Sequence, residues 1–222
     1  MSYIICDLET IALPDEVLKQ RMPDFAPKAN LSDPAKIELD IEQKRKAFFS
    51  EAALSAFSGQ IAMVNLKVSG ENKYNFIQQE SEKTPTEADV LHEAAGIFCE
   101  LLGEGEKIVG FCSKKFDWPM FRRRCWVNGV DFPDGVYTRV HGRDYYTDNI
   151  IDLLEVYSCG VYNDTISLSR LGQMLGVGNK SVDGSSFGEM WANDRAKAIE
   201  YSKWDLDLTD KIAELMMPEL VG

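Results

Sequence analysis

The chain has 222 residues, of which 45% are hydrophobic and 27% charged, a composition that excludes disorder and suits one soluble domain with a single core. Its formal charge of -12 opposes general adhesion to nucleic acid or to an anionic membrane, so any polyanion must be gripped locally. Five cysteines (Cys6, Cys99, Cys112, Cys125, Cys159), odd in number and without a CxxC pair, suggest neither a disulfide framework nor a zinc knuckle and fit a reducing cytoplasm. No apolar run approaches the roughly 20 residues needed to span a bilayer, and no basic start precedes an apolar leader, so no membrane partner is expected.

In chain order, residues 3–8 predict a first strand, apolar and β-prone from Tyr3 to Cys6. Pro14, Pro23, Pro27 and Pro34, with charged residues between them, predict loop and short helix. SDPAKIELDIEQKRKAFFSEAALSAFSG then predicts a long helix from about Pro34 to Phe57, capped by Ser32 or Asp33 and ended by Gly59. Residues 14–58 thus read as a helical insertion within a single domain of residues 1–222. Whether it serves as lid, substrate wall or contact in a homo-oligomer is open.

GQIAMVNLKVSG and KYNFIQQ predict two antiparallel strands across a Gly-Glu-Asn turn, forming a meander with the first. TPTEADVLHEAAGIFCELLG predicts an amphipathic helix with Thr84 and Glu87 in capping-box relation. KIVGFC predicts a fourth strand and DWPMFRRRCWVNG a helix with Pro119 in its first turn. Residues 130–149 read as a polar, aromatic-rich loop, after which IIDLLEVY resumes order, with Asp152 as a helix cap or a supporting acid. SLSRLGQMLGV predicts a short helix. GVGNKSVDGSSFG, which lacks GxxxxGK[ST], reads as a loop bordering a substrate groove. The last stretch, about 187–217, predicts helix with a break near Asn193. Strands followed by alternating helix and strand predict a mixed α/β sheet with helices on both faces.

Three acidic places stand out. Asp7 and Glu9 lie two apart on a strand and so share one face at its end, where their mutual repulsion calls for a cation. Asp117 follows the fourth strand and fits the N-cap of the next helix, beside the same sheet end. Arg122, Arg123 and Arg124, near Lys114 and Lys115, form the densest cationic run of an acidic chain, either a solvated helix face or a phosphate track. Tyr201 and Asp205 lie four apart and share a helix face, from which Asp207 points away. Four converging carboxylates would suit hard divalent ions, which take oxygen ligands, and two ions about 4 Å apart can clamp both oxygens of a phosphodiester exchange. His92 and His141 are too few and too distant for a histidine-based site. Trp118, Phe121 and Trp126 read as core or groove wall.

D-x-E near the N-terminus, F-D-x-P after a Gly-bearing strand, and Y-x-x-x-D on a late helix resemble the three exonuclease motifs of the DEDD superfamily, with the tyrosine of its DEDDy branch. The likeness extends to AALSAFSGQIAMV, SLSRLGQMLGVGNKSVDGSSFGEMW and YSKWDLDLT, which are similar to stand-alone exonucleases akin to the proofreading domain of family B DNA polymerases. The resemblance implies an RNase H-like fold with a mixed five-stranded sheet, and a 3′–5′ exonuclease releasing nucleoside 5′-monophosphates from the 3′ ends of DNA, single-stranded or frayed. It implies two Mg²⁺ or Mn²⁺ ions held by Asp7, Glu9, Asp117 and Asp205, and a water oriented by Tyr201. Thr10 would meet the terminal nucleotide, with Lys114, Phe116 and Arg122 as further candidate substrate contacts. Many relatives carry Asn where this chain has Cys112. The rival readings are an RNA exonuclease of the RNase D type and a non-catalytic module that grips nucleic-acid ends.

Overall fold

A computed structural model describes residues 3–178 and 187–218. The first part of the chain forms β1 (Tyr3–Ala12), α1 (Asp15–Arg21), α2 (Pro34–Ser50), β2 (Gly59–Val68) and β3 (Tyr74–Gln78). There follow α3 (Glu87–Gly103), β4 (Lys107–Gly110), α4 (Asp117–Asn128), β5 (Tyr137–Val140), β6 (Arg143–Tyr146) and β7 (Ile150–Asp152). Four helices complete it: α5 (Leu153–Ser158), α6 (Leu168–Leu175), α7 (Phe187–Asn193) and α8 (Arg195–Met216). Residues 179–186, within the glycine-rich stretch expected to border a groove, lie outside the described residues. Among the described residues no helix is long and apolar enough to cross a membrane.

The chain divides into two units, Thr10–Gln60 and a larger one of Met1–Glu9 with Ile61–Gly222. In the smaller unit Asp33 caps α2 by accepting from the Ala35 amide at 3.0 Å, and Pro34 occupies the first turn, where its missing N–H costs nothing. Asp40, buried in α2, accepts from Lys44 Nζ at 2.6 Å and from the Lys28 amide at 3.2 Å. The helix stops at Ser50, earlier than the pattern to Phe57 predicts, and Ala52–Leu54 forms a separate 3-10 turn. Gly59 is therefore no helix terminator. A Cβ there would meet the Ala52 and Ala53 carbonyl oxygens at 2.8 Å, so only glycine lets β2 begin against that turn.

In the larger unit a mixed five-stranded sheet runs in the order β3-β2-β1-β4-β7. β1 pairs parallel with β4 (Ile5 opposite Val109), β4 parallel with β7 (Gly110 opposite Asp152), and β2 antiparallel with β3 (Asn65 opposite Phe76). Alternation along β1 sends Tyr3 and Ile5 to one face, where they join Leu171 of α6 and Leu206, Leu208 and Ile212 of α8 in a fully buried cluster. Cys6 and Leu8 point to the other face, where Phe98 of α3 meets Trp118 and Phe121 of α4 with ring centroids 4.9 and 5.5 Å apart. The three parallel strands all end at one edge, where β1 runs on to Asp7 and Glu9.

Four local expectations are corrected. β1 continues past residue 8 to Ala12, carried by the β-branched Thr10 and Ile11. The cap of α3 is Thr86 with Asp89, not Thr84 with Glu87. The Thr84 hydroxyl donates instead to the Gln78 carbonyl, and Glu87 turns inward. Residues 130–149 are not all loop: β5 and β6 form a two-residue hairpin in which His141 (φ 50°) and Gly142 (φ 80°) both adopt the left-handed conformation that such a turn requires. Trp126 is no core residue; it is 66% exposed, with the Arg122 guanidinium 5.3 Å from its ring centre.

Candidate active site

β1 brings Asp7 and Glu9 to the edge of the sheet on the face that α8 covers, because odd-numbered residues of this strand follow Tyr3 and Ile5. On α8, Tyr201, Ser202 and Asp205 occupy adjoining positions of the facing side. The Ser202 hydroxyl donates to Glu9 Oε1 at 2.9 Å, and the Asn65 amide of β2 reaches Asp7 Oδ2 at 3.4 Å. The Tyr201 hydroxyl is hydrogen-bonded to Asp205. Its pKa is driven far above the ordinary phenol value by burial first, then by the charges of Asp205, Glu9 and Asp7. Its ring rests 6.0 Å from Phe187.

Further along α8, Lys67 of β2 pairs with Asp210 and lies 3.3 Å from Asp207, which accepts from the Tyr74 hydroxyl at 2.6 Å. These contacts bind α8 to β2 and β3, and Asp207 points away from the site as its spacing predicts.

Asp117 enters from β4. The chain leaves the strand at Gly110 and turns through Cys112, whose φ of 60° is left-handed. Asp152, at the end of β7 and 1% exposed, accepts from the Cys112 amide at 2.8 Å, the Lys114 amide at 3.0 Å and the Leu154 amide at 2.9 Å. It is thus both the cap of α5 and the support of the 112–114 turn. Asp117 is the first residue of α4 rather than its N-cap; Phe116 holds that place, and no side chain caps the helix. Packed among Cys6, Leu8, Trp118 and Phe121, the Asp117 carboxyl is raised well above the usual range, by burial first, then by the charges of Asp7 and Asp152.

The structure therefore makes Asp7, Glu9, Asp205 and Tyr201 electrostatic neighbours, and makes Asp117 a neighbour of Asp7. Among the described residues no group of three or more His, Cys, Asp or Glu is already arranged to hold a metal ion. The donor set nonetheless fits a hard divalent cation. Its oxygens all come from carboxylates, and the charge of Asp7 bears on both Asp117 and Tyr201 in the direction that a nearby cation would reverse.

The arginine run does not act as one patch. Arg124 is buried and pairs with Glu87, Arg122 meets Asp144 at 2.8 Å, and Arg123 is exposed. Lys114 pairs with Glu155 at 2.9 Å, with its ammonium 5.4 Å from the centre of the Tyr146 ring. Phe116 is half-buried, as is Thr10 in the smaller unit, and His92 and His141 are exposed. Sequence reasoning missed Asn65 and Ser202, although a polar residue interrupting the apolar run of β2 was a signal for the first.

A sheet of this order, with carboxylates gathered where its parallel strands end, is the RNase H-like fold. A family model of the RNase H superfamily matches residues 48–216, and the chain belongs to that superfamily. Among solved structures, the family B DNA polymerase from the hyperthermophilic archaeon Pyrobaculum calidifontis is similar, with a TM-score of 0.59 and 17% sequence identity, over 98% of this chain and 25% of the polymerase. At that identity the likeness is one of fold, and this chain spans a quarter of the polymerase's length. No curated protein matches the chain. Superfamily membership supports a nuclease.

Proposed function

We propose that the chain is a metal-dependent 3′–5′ exonuclease acting on DNA ends, single-stranded or frayed, and releasing nucleoside 5′-monophosphates. The observation that carries this reading is that the half-buried Tyr201 hydroxyl lies in the combined field of Asp205, Glu9 and Asp7, the last two 196 and 198 positions before Asp205 in the sequence. Asp7, Glu9, Asp117 and Asp205 would hold Mg²⁺ or Mn²⁺, two ions in all, which supply an activated water and a polarised phosphodiester.

Burial and the charges of Asp205, Glu9 and Asp7 all favour the protonated form of Tyr201, which suits a hydroxyl that orients rather than a base. Its work is to orient water through a protonated hydroxyl that Asp205 fixes in place. Phe116 is the uncharged candidate for contact with the terminal nucleotide. Lys114 and Arg122 are already paired with Glu155 and Asp144. Because such partly exposed pairs are worth about 1 kcal/mol or less, a phosphate can compete for either cation.

The test is hydrolysis of a 5′-labelled single-stranded DNA oligonucleotide with Mg²⁺ or Mn²⁺. The expected product is a ladder shortening one nucleotide at a time from the 3′ end, abolished by EDTA. Cutting of a circular strand would contradict an exonuclease, and a matched RNA oligonucleotide degraded as fast or faster would remove DNA from the proposal.

A further inference from the structure

We propose that Ser202 and Asn65 are positioning residues that set the carboxylates of Glu9 and Asp7 for divalent-ion binding, an inference that rests on reading those carboxylates as metal ligands. Both side chains are fully buried, at 0% exposure. Each comes from a different element and reaches a different member of the D-x-E pair: Ser202 of α8 to Glu9 Oε1 at 2.9 Å, Asn65 of β2 to Asp7 Oδ2 at 3.4 Å.

The choice of partner is informative. A helical serine commonly turns its hydroxyl back to the carbonyl four residues earlier, and Ala198 offers that acceptor at 3.2 Å. The shorter contact goes to the carboxylate, as expected for a stronger, charge-assisted bond. Asn65 stands in a strand whose neighbours Ile61, Ala62, Met63, Val64 and Leu66 are all buried. Burying an amide there costs free energy unless a partner compensates, and Asp7 is the acceptor its Nδ2 finds.

Both donors are uncharged. A lysine at either position would also hold the carboxylate, but its positive charge would compete with a cation. A hydroxyl and an amide restrain one oxygen of each carboxylate and leave its charge in place, and partners of this kind typically govern metal affinity by about 10–100-fold.

The experiment measures Mn²⁺ binding to the full chain by electron paramagnetic resonance, without substrate, for the parent, Ser202→Ala, Asn65→Ala and Ser202→Cys, with thermal melting in EDTA alongside. The expected result is an Mn²⁺ affinity about tenfold or more weaker in each alanine variant, a smaller loss in Ser202→Cys, which keeps a weak donor, and metal-free melting of Ser202→Ala close to the parent's. If the parent binds Mn²⁺ and Ser202→Ala and Asn65→Ala bind it equally well, the positioning role is overturned while the nuclease reading stands. Variants that lose melting temperature without losing affinity overturn it too, by assigning the contacts to folding alone. A parent that binds no Mn²⁺ overturns both readings.

Discussion

Glu87 and Arg124 meet in the interior as a two-pronged pair, with Arg124 Nε 2.9 Å from Glu87 Oε1 and Nη2 2.5 Å from Oε2. The same carboxylate accepts from the Ile61 amide at 2.8 Å and from Asn128 Nδ2 at 3.0 Å, so one acid ties α3, α4 and β2 together. Because α4 begins at Asp117, this network also anchors the helix that delivers a site carboxylate. Removing one partner of a buried pair leaves a charge without compensation and costs about 3–5 kcal/mol. Glu87→Ala should lose stability in that range by urea denaturation. Glu87→Leu combined with Arg124→Met should recover much of it, since it removes both charges.

Asp152 should be indispensable to the turn before Asp117. Asp152→Ala strands three amide donors, each costing about 1–3 kcal/mol when buried and unsatisfied, without simple additivity. The variant should exchange its Cys112 and Lys114 amide hydrogens faster than the parent by mass spectrometry or NMR, and should lose activity together with that protection. Unchanged exchange at those two amides would mean that the turn holds itself.

Tyr201→Phe deletes one hydroxyl and keeps the ring against Phe187. If the phenol orients water, kcat should fall by about 10²-fold while oligonucleotide binding, measured by fluorescence anisotropy in Ca²⁺, stays at the parent's level. A fall in binding with kcat intact would place Tyr201 in substrate recognition instead.

Thiol reactivity should sort by burial. Cys99 and Cys159 are exposed, Cys112 is half-buried, and Cys6 and Cys125 are buried. Burial, then the charges of Glu87 and Asp131, push the Cys125 thiol up to about 12, and burial with the charges of Asp117 and Asp7 raises Cys6 as well. The thiolate is the nucleophile. A disulfide reagent at neutral pH should therefore consume Cys99 and Cys159 rapidly, and should reach Cys6 and Cys125 only after denaturation.

The elements with a clear period were legible. Apolar spacing predicts β2, β3 and α3, and the structure has them, as it has the break expected near Asn193 in the last helical run. The hairpin was not, because its turn is His141-Gly142 rather than the Asn-Gly or Asp-Gly that announces such a turn. Two overlapping T-x-x-acid patterns, Thr84 with Glu87 and Thr86 with Asp89, compete for the start of α3, and only the burial of Glu87 against Arg124 decides between them. Three consecutive arginines look like one patch in a sequence, but successive residues on a helix diverge by about 100°, which is why Arg122, Arg123 and Arg124 meet three different surroundings. Type and spacing single out Asp7, Glu9, Asp117 and Asp205 as candidates for the metal-binding experiments to test. Asn65 and Ser202 were not legible, because a neutral donor declares its role only when its acceptor is seen beside it.

Whether these carboxylates bind a divalent ion is tested most directly by anomalous diffraction from crystals soaked in Mn²⁺ with a short oligonucleotide. Manganese is expected among Asp7, Glu9, Asp117 and Asp205, next to the phosphate of the terminal nucleotide. Manganese bound elsewhere, with these four side chains bare and the oligonucleotide lying away from them, would contradict their role as metal ligands.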